Sequence, residues 1–108
     1  MNAVLRYLVM ILFTLTVGAS WLTAQSDAAS SFKSKCVLCH AADGSGNSPS
    51  GRALKAKDLR SEETQKKPDA ELAAVITNGR NKMPAFGQEL KPEQIQQLVG
   101  YIHQLAKK

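Results

Sequence analysis

The sequence predicts an all-α fold built from three main helices and the loops that join them. Apolar residues recur at intervals of three and four along much of residues 28–108, which is the spacing of an amphipathic helix. No segment alternates apolar and polar residues as a half-buried strand would. Prolines stand where two of the helices should begin, and a glycine stands where one should end. We therefore expect helices without a sheet.

The first helix is expected over residues 28–39. It carries Phe32 and Cys36 on one face, because positions four apart are neighbours on a helix surface. Beyond it, residues 43–51 are rich in Gly, Asn, Ser and Pro, which disfavour regular structure and predict a loop. Residues 51–60 are compatible with a further short helix.

The second helix is expected to begin at Pro68 and Asp69 and to end at Gly79. Proline costs little in the first turn, since its missing N–H would have no helical partner there, and an acidic side chain favours a helix amino terminus. Glycine is common just beyond a helix carboxyl end. The residues expected to be buried are Leu72, Val75 and Ile76.

The third helix is expected to begin at Pro92 and Glu93 and to run towards Lys107 and Lys108, which suit a helix carboxyl end. Gly100 breaks its pattern, because glycine within a helix costs about 1 kcal/mol relative to alanine. We interpret Gly100 as the site of a close crossing with the first helix, and a tolerated surface glycine is the alternative. The apolar stripe of the third helix consists of Ile95, Leu98, Val99, Ile102 and Leu105.

The first 24 residues have the organisation of a secretory signal peptide. Arg6 supplies a positive charge, an apolar stretch follows over residues 8–22, and Ala24 offers a small residue at the cleavage position. Cleavage after Ala24 would separate residues 1–24 from a single domain over residues 25–108. Export would place that domain in the periplasm or an equivalent compartment.

An uncleaved membrane anchor is the alternative interpretation of this segment. Residues 7–26 contain no charge, a run of 20 residues that is about the length needed to cross a bilayer. Thr14, Gly18 and Thr23 dilute the stretch, and no basic cluster follows it at once, which favours cleavage. The mature domain would be held in the membrane only through a retained anchor.

Cys36-Val37-Leu38-Cys39-His40 is the attachment signature of a c-type haem. Residues three apart share one face of a helix, so both sulfurs can reach one edge of a porphyrin. The imidazole that follows is a normal axial ligand of haem iron, and its second nitrogen needs a hydrogen-bond acceptor. The sequence therefore predicts one covalently attached haem c, with thioethers at Cys36 and Cys39 and iron ligation by His40.

Two other uses of the cysteine pair are open to the sequence. A thioredoxin-like redox pair would need a strand before the motif and a βαβ pattern around it, and neither is visible. A zinc site would need four nitrogen or sulfur ligands, whereas residues 25–108 offer Cys36, Cys39, His40 and the distant His103. A haem also suits a domain that is poor in aromatic residues, because a porphyrin would enlarge its small core.

Met83 is the expected second axial ligand. Cytochromes c pair His with Met on the iron, and Met83 is the sole methionine in residues 25–108. A lone methionine is more often a core filler, but this one lies between Gly79 and Pro84, in a stretch where a helix should stop. His103 is the other histidine, and its place on the third helix favours a solvated surface role over iron ligation.

The chain resembles the class I c-type cytochromes, specifically the small bacterial monohaem type, over essentially all of residues 25–108. The haem motif leads into a glycine-rich loop at Gly44 and Gly46. In the family a proline carbonyl on such a loop accepts the hydrogen bond of the proximal histidine, and the resemblance assigns that role to Pro49. The Met-Pro-Ala-Phe stretch over residues 83–86 is similar to the family's methionine-ligand loop.

The resemblance also implies a cytochrome c fold, in which three main helices and haem-wrapping loops surround one covalently bound haem. Phe32 stands four residues before Cys36, as in the family, and should contact Leu98 and Tyr101 on the last helix. No tryptophan of residues 25–108 is available to bind a haem propionate. The basic residues that could do so instead are Arg52, Lys55 and Lys82.

These ligands predict a one-electron carrier between redox partners rather than an enzyme. Iron with both axial positions filled has no open site for oxygen or substrate, and a methionine ligand raises the reduction potential. Two alternatives remain. One is a haem enzyme, or a gas or peroxide sensor, in which Met83 dissociates, and the other is a haem subunit of a larger oxidoreductase complex.

The charge of the mature domain is mildly basic. Thirteen Lys and Arg residues stand against nine Asp and Glu once Arg6 is removed, which gives a net charge of +4. The two ligand segments are the haem motif over residues 36–40 and the methionine loop around Met83. Lys33 and Lys35 lie beside the first and Lys82 beside the second, so we expect a positive rim that docks on redox proteins with acidic surfaces. The basic residues are scattered among acidic ones, which gives no support to nucleic-acid binding.

Overall fold

Helices account for the regular structure of the chain. The computed structural model describes the backbone of residues 2–108 and the side chains of residues 2–8, 23–24 and 27–108. Within that part no strand occurs, and one isolated bridge pairs Arg80 with Met83. The all-α prediction is confirmed. The helices are α1 (Ala3–Lys35), α2 (Val37–His40), α3 (Pro49–Leu54), α4 (Glu62–Gln65), α5 (Asp69–Asn78) and α6 (Pro92–Leu105).

The core lies where α6 packs against both α1 and α5. The centroid of the Phe32 ring on α1 lies 5.0 Å from that of the Tyr101 ring on α6. Phe32, Leu98 and Val99 are each at most 2% exposed. Phe32 therefore meets the last helix as the sequence predicted.

The first helix is longer than expected. α1 spans Ala3–Lys35 instead of residues 28–39, and a turn at Cys36 separates it from α2. It contains no proline, so nothing in the local sequence stops the helix before that turn. Among the described residues, no helix is both long enough and apolar enough to cross a bilayer. The prediction of a signal or an anchor concerns residues 1–24. The side chains of residues 9–22 within this segment lie outside the described part of the structure.

The expected second and third helices are confirmed as α5 and α6. Pro68 precedes α5, and Gly79 follows it with a φ of 74°, a conformation that favours glycine. α6 begins at Pro92 and buries the whole expected apolar stripe. Val75 on α5 is half-buried rather than buried.

Two short helices lie between α2 and α5. α3 begins at Pro49, earlier than expected, because Ser48 caps it by accepting a hydrogen bond from Gly51 N at 2.9 Å. Lys55 follows the last residue of α3 in the left-handed conformation. α4 follows a similar cap at Ser61 and has no counterpart among the expected helices.

Gly100 does not mark a close helix crossing, and that interpretation is wrong. The residue is exposed, and a Cβ built on it would meet no described atom within 4 Å. On α1, in contrast to Gly100, the residues Ala28 and Phe32 are buried, at 3% and 2% exposure. The glycine is therefore not required by helix packing.

Candidate haem site

The two cysteines lie just before and within the one-turn helix α2. Cys36 stands at the break between α1 and α2, and Cys39 lies one residue before the end of α2. Both thiols are free and half-buried. Burial raises the pKa of the Cys36 thiol to about 11, and the neighbouring Lys35 ammonium offsets only part of this rise. Redox-active cysteines have lowered pKa values, so this environment does not favour a thioredoxin-like pair.

His40 is the last residue of α2, and one of its two ring nitrogens makes a hydrogen bond. Its Nδ1 lies 3.0 Å from the carbonyl oxygen of Lys57, which can only accept, so Nδ1 carries the proton. Burial lowers the pKa of the ring, this hydrogen bond offsets part of the change, and the neutral imidazole is favoured. Nε2 has no hydrogen-bond partner within the described part of the chain. Its lone pair is therefore available to a metal.

The hydrogen-bond partner of His40 is not Pro49, and that expectation is wrong. Pro49 is the first residue of α3, so its carbonyl points along the axis of that helix. The carbonyl that reaches Nδ1 belongs to Lys57, 17 residues after His40 and beyond the end of α3. The His40 ring is thus held by a loop carbonyl without a proline.

The loop after α2 is hydrogen-bonded to the end of that helix. Gly46 N donates to the His40 carbonyl at 2.7 Å. Ser48 Oγ donates to the Leu38 carbonyl at 2.8 Å and lies 3.3 Å from the Cys39 carbonyl. These contacts satisfy carbonyls that a four-residue helix cannot satisfy internally.

Met83 lies in a tight turn that follows α5. Arg80 and Met83 exchange two backbone hydrogen bonds, at 3.1 and 2.9 Å, and Asn81 within the turn has a φ of 53°. Gly79 permits a close approach, since a Cβ there would lie 2.6 Å from the Met83 carbonyl oxygen. The Met83 side chain is half-buried and packs on the core, as does Cys36. The two predicted site residues thus contact one core cluster from distant parts of the sequence.

The methionine loop returns to α5 after Met83. Phe86 N donates to the Ile76 carbonyl at 2.9 Å, and Gly87 N donates to the Thr77 carbonyl at 3.1 Å. These bonds satisfy carbonyls in the last turn of α5. The same helix therefore fixes the loop at both of its ends.

His103 lies away from ligand chemistry but is not simply solvated. Its Nδ1 lies 2.9 Å from Gln65 Oε1 and its Nε2 lies 2.8 Å from Asp69 Oδ1. The side chain is 29% exposed. Both ring nitrogens are engaged by neighbouring helices, which leaves neither of them for iron and corrects the expectation of a free surface histidine.

The lysines expected around the site differ in their partners. Lys35 Nζ lies 3.2 Å from Glu89 Oε2, so part of its charge is neutralised. Lys33 and Lys82 are exposed, and no described acidic group pairs with either of them. The positive charge near the ligand segments therefore rests on these two more than on Lys35.

The residues expected to bind a haem propionate are all on the surface. Arg52, Lys55 and Lys82 are exposed. Arg52 Nη1 already donates to Asn47 Oδ1 at 2.6 Å. Its guanidinium has further N–H donors, so this bond leaves the propionate role open.

The haem motif, α3 and the methionine loop supply residues that suit a porphyrin. Cys36, Met83 and Phe86 lie half-buried on the outside of the core, and Leu38 and Leu54 are 74% and 41% exposed. Apolar side chains that pack on a core from one side form a surface that a flat apolar group would cover. Two free thiols and one free imidazole nitrogen supply the chemistry of attachment and ligation.

Comparison with known proteins places the chain in a family. Residues 23–102 match the family described as cytochrome C oxidase, cbb3-type, subunit III. The chain belongs to the c-type cytochromes. A cytochrome c6 of Nostoc sp. is 36% identical over 101 residues, which cover 84% of this chain and 80% of the relative. A cytochrome c6 of Synechococcus sp. is 31% identical over 108 residues, which cover 94% of this chain and 91% of the relative.

A solved structure supports the same assignment for this cytochrome. The KustC0563 c-type cytochrome matches it with a TM-score of 0.65 and 27% identity, over 72% of this chain and 95% of that one. The predicted cytochrome c fold is confirmed, and the cytochrome carries one covalently attached haem c. It is a one-electron carrier and not an enzyme, and the relatives favour this function over the sensor and complex-subunit alternatives.

The roles of three residues that support the haem motif of this cytochrome are not predicted from the sequence, although Gly51 lies in the predicted loop over residues 43–51. Ser48 could have been found, because a serine before Pro49 is a typical helix start. Gly51 is recognised only in three dimensions, where a Cβ would collide with the Cys39 carbonyl. Lys57 acts through its carbonyl, which no side-chain pattern marks.

Proposed function

We propose that this cytochrome holds its haem through thioethers to Cys36 and Cys39, with His40 and Met83 as the axial iron ligands. The observation that carries the proposal is the His40 ring, whose Nδ1 is fixed by the Lys57 carbonyl while Nε2 has no hydrogen-bond partner among the described residues. When bound, the haem supplies an iron centre that takes up and releases one electron.

Hydrogen bonds hold both ligand segments in place. The loop after α2 binds the end of that helix, and the Arg80 and Met83 backbone pair closes the methionine turn. The Nδ1 hydrogen bond raises the basicity of the His40 ring, and the neutral thioether of Met83 favours the reduced state. Two protein ligands leave no open position for a substrate. These properties support electron transfer without bond-making chemistry.

Replacement of Met83 tests the ligand assignment. Met83→Ala should lower the midpoint potential and let the reduced protein bind carbon monoxide, because the thioether is lost and a coordination position opens. Visible spectra should also lose the far-red band of iron bound to methionine sulfur. Pro84→Ala is the matched control, since it alters the same loop at an exposed residue without removing a ligand. A Met83→Ala protein with the wild-type potential and no carbon monoxide binding would refute the assignment.

We further propose that residues 1–24 are a cleaved signal peptide and that residues 25–108 are the exported cytochrome domain, in the periplasm or an equivalent compartment. Among the described side chains of α1, the first that is buried is that of Ala28. Cleavage after residue 24 would therefore leave this packing intact. Amino-terminal sequencing of protein from the cell envelope should begin at Gln25. A protein that retains Met1 would favour the uncleaved anchor.

We also propose that the redox partner docks through an acidic surface. Lys82 is exposed next to Met83 in the sequence, and Lys33 is exposed near the end of α1, shortly before the haem motif. Lys35 contributes less, because Glu89 pairs with it. Complementary charges steer such encounters, and salt screens them.

The salt dependence of electron transfer tests this docking. Lys82→Gln should slow the second-order rate with an acidic partner by about twofold at low ionic strength, the effect of one screened surface charge. The fall of the rate with added salt should also become less steep. Lys66→Gln is the control, since it removes the same charge from an exposed residue at the end of α4. Equal rates for the two variants would contradict docking at Lys82.

A further inference from the structure

We propose that Ser48 is a positioning residue for the haem ligand His40. Its hydroxyl starts α3 and, at the same time, holds the end of α2. The proposal rests on the assignment of His40 as an axial ligand made above.

The Ser48 hydroxyl uses both of its hydrogen-bonding roles. Oγ accepts from Gly51 N at 2.9 Å, which caps α3. Its one proton goes to the Leu38 carbonyl at 2.8 Å rather than to the Cys39 carbonyl, because the latter is farther away, at 3.3 Å. A single atom therefore ties the start of α3 to the end of α2.

α2 needs this contact because it has only four residues. One helical turn fixes several backbone angles for very few internal hydrogen bonds, so it is not stable alone. Ala41 ends it at a φ of 63°, which non-glycine residues seldom adopt. The carbonyls of Leu38 and His40 are bound from outside the helix, by Ser48 Oγ and Gly46 N.

The contact acts on His40 through the segment that follows α2. The ring belongs to the last residue of α2, and its Nδ1 binds Lys57, at the far end of the segment that contains Ser48. Ser48 binds α2 two residues before the ring, so it fixes the position of α2 relative to that segment. Without it, α2 can rotate away from Lys57 and the Nδ1 hydrogen bond weakens. A weaker bond lowers the basicity of the ring and its electron donation to iron.

Gly51 shows how closely α3 approaches α2 at this point. A Cβ on Gly51 would collide with the Cys39 and Gly46 carbonyls and would lie 2.8 Å from Ser48 Oγ. Gly51 itself is buried. Ser48 therefore acts at a direct contact of two backbones.

Variants at one position separate the two roles of Ser48. Ser48→Ala removes both hydrogen bonds, whereas Ser48→Asp keeps an acceptor for Gly51 N but has no proton to donate at neutral pH. Ser48→Thr keeps both roles and should rescue the wild-type behaviour. Ser50→Ala is the matched control, because it removes a hydroxyl from the same helix and Ser50 makes no side-chain hydrogen bond with the described residues.

Two measurements on the holoprotein report the position of His40: the midpoint potential, and the exchange of its Nδ1 proton followed by NMR in the reduced state. Ser48→Ala should raise the potential, and in both Ser48→Ala and Ser48→Asp the Nδ1 proton should exchange about fivefold faster, as expected for one lost hydrogen bond. Ser48→Thr and Ser50→Ala should retain both wild-type values. Helix capping alone would not give this result, since Ser48→Asp preserves the cap of α3.

Two results would overturn the proposal. A wild-type rate of Nδ1 exchange in both Ser48→Ala and Ser48→Asp would show that His40 does not depend on Ser48, and a wild-type rate in Ser48→Asp alone would show that only the cap matters. If Ser48→Ala does not accumulate with haem, the comparison of Ser48→Asp with Ser48→Thr provides the same test of the proposal. Failure of the ligand assignment is distinguishable, because the wild type itself would then lack the spectrum of histidine and methionine ligation.

Discussion

Single glycines determine how closely the backbone approaches both ligand segments. Gly51 admits the Cys39 carbonyl beside α3, and Gly79 admits the Met83 carbonyl after α5, in each case where a Cβ would collide. Gly79 also has a φ of 74°, which residues with side chains rarely adopt. Each segment therefore depends on a residue that has no functional group.

Gly51→Ala should destabilise the holoprotein by about 2 kcal/mol, a typical cost of adding a methyl group where the space is already filled. α3 has to move off α2, because two of the three atoms nearest the new Cβ belong to the backbone. Guanidinium unfolding followed by circular dichroism and Soret absorbance measures the loss. Ser50→Ala, at the neighbouring residue, should change stability little. Equal stabilities of the two variants would show that α2 and α3 are less closely packed than described.

The sequence proposes residues for this site where the chemistry belongs to a side chain. Cys36 and Cys39 are proposed from a spacing that matches a porphyrin edge, and Met83 is proposed because residues 25–108 contain no other thioether. The acceptor for His40 is a carbonyl, which every residue has, so the sequence offers no means of choosing Lys57. The family resemblance indicated a different residue because it transfers a pattern and not the local path of the loop.

Among the helices, the longer ones were predictable and the shorter ones were not. α5 and α6 have prolines at their starts and enough turns for an apolar period to appear. α3 and α4 have six and four residues, too few for a period, and their starts are set by the serine caps. The sequence does not predict the early start of α1, because residues 1–24 have the pattern of a separate signal segment.

Gly100→Ala should stabilise the holoprotein by about 1 kcal/mol, since alanine is the better helix former and no described atom lies near the new methyl group. The effect belongs to α6 as an element, because the gain comes from its own backbone. The unfolding experiment used for Gly51→Ala measures it, and the same chemical change should have opposite signs at the two positions. A loss of stability would show that an atom outside the described residues contacts α6 at Gly100.

At the scale of the whole domain, the polypeptide alone supplies a small core. The largest fully buried side chains are Phe32, Leu98 and Val99, and apolar residues around α2 and the methionine loop stay half-buried. A core in so small a domain seldom supplies more than about 3–5 kcal/mol without a covalent or metal-linked staple. We infer that the haem completes this core and joins α2 to the methionine loop. The half-buried side chains of the methionine loop would then lie against the haem.

A haem-free protein with Cys36→Ser and Cys39→Ser should therefore lose cooperative unfolding. Its far-ultraviolet helical signal should fall well below that of the holoprotein, and amide exchange should be fastest in the two ligand segments, because their half-buried apolar residues lose their cover. Circular dichroism across a guanidinium series, with amide exchange read by mass spectrometry, provides both measurements. Wild-type holoprotein purified in parallel is the control. A haem-free protein that unfolds cooperatively at the holoprotein's denaturant midpoint would show that the polypeptide core is sufficient by itself.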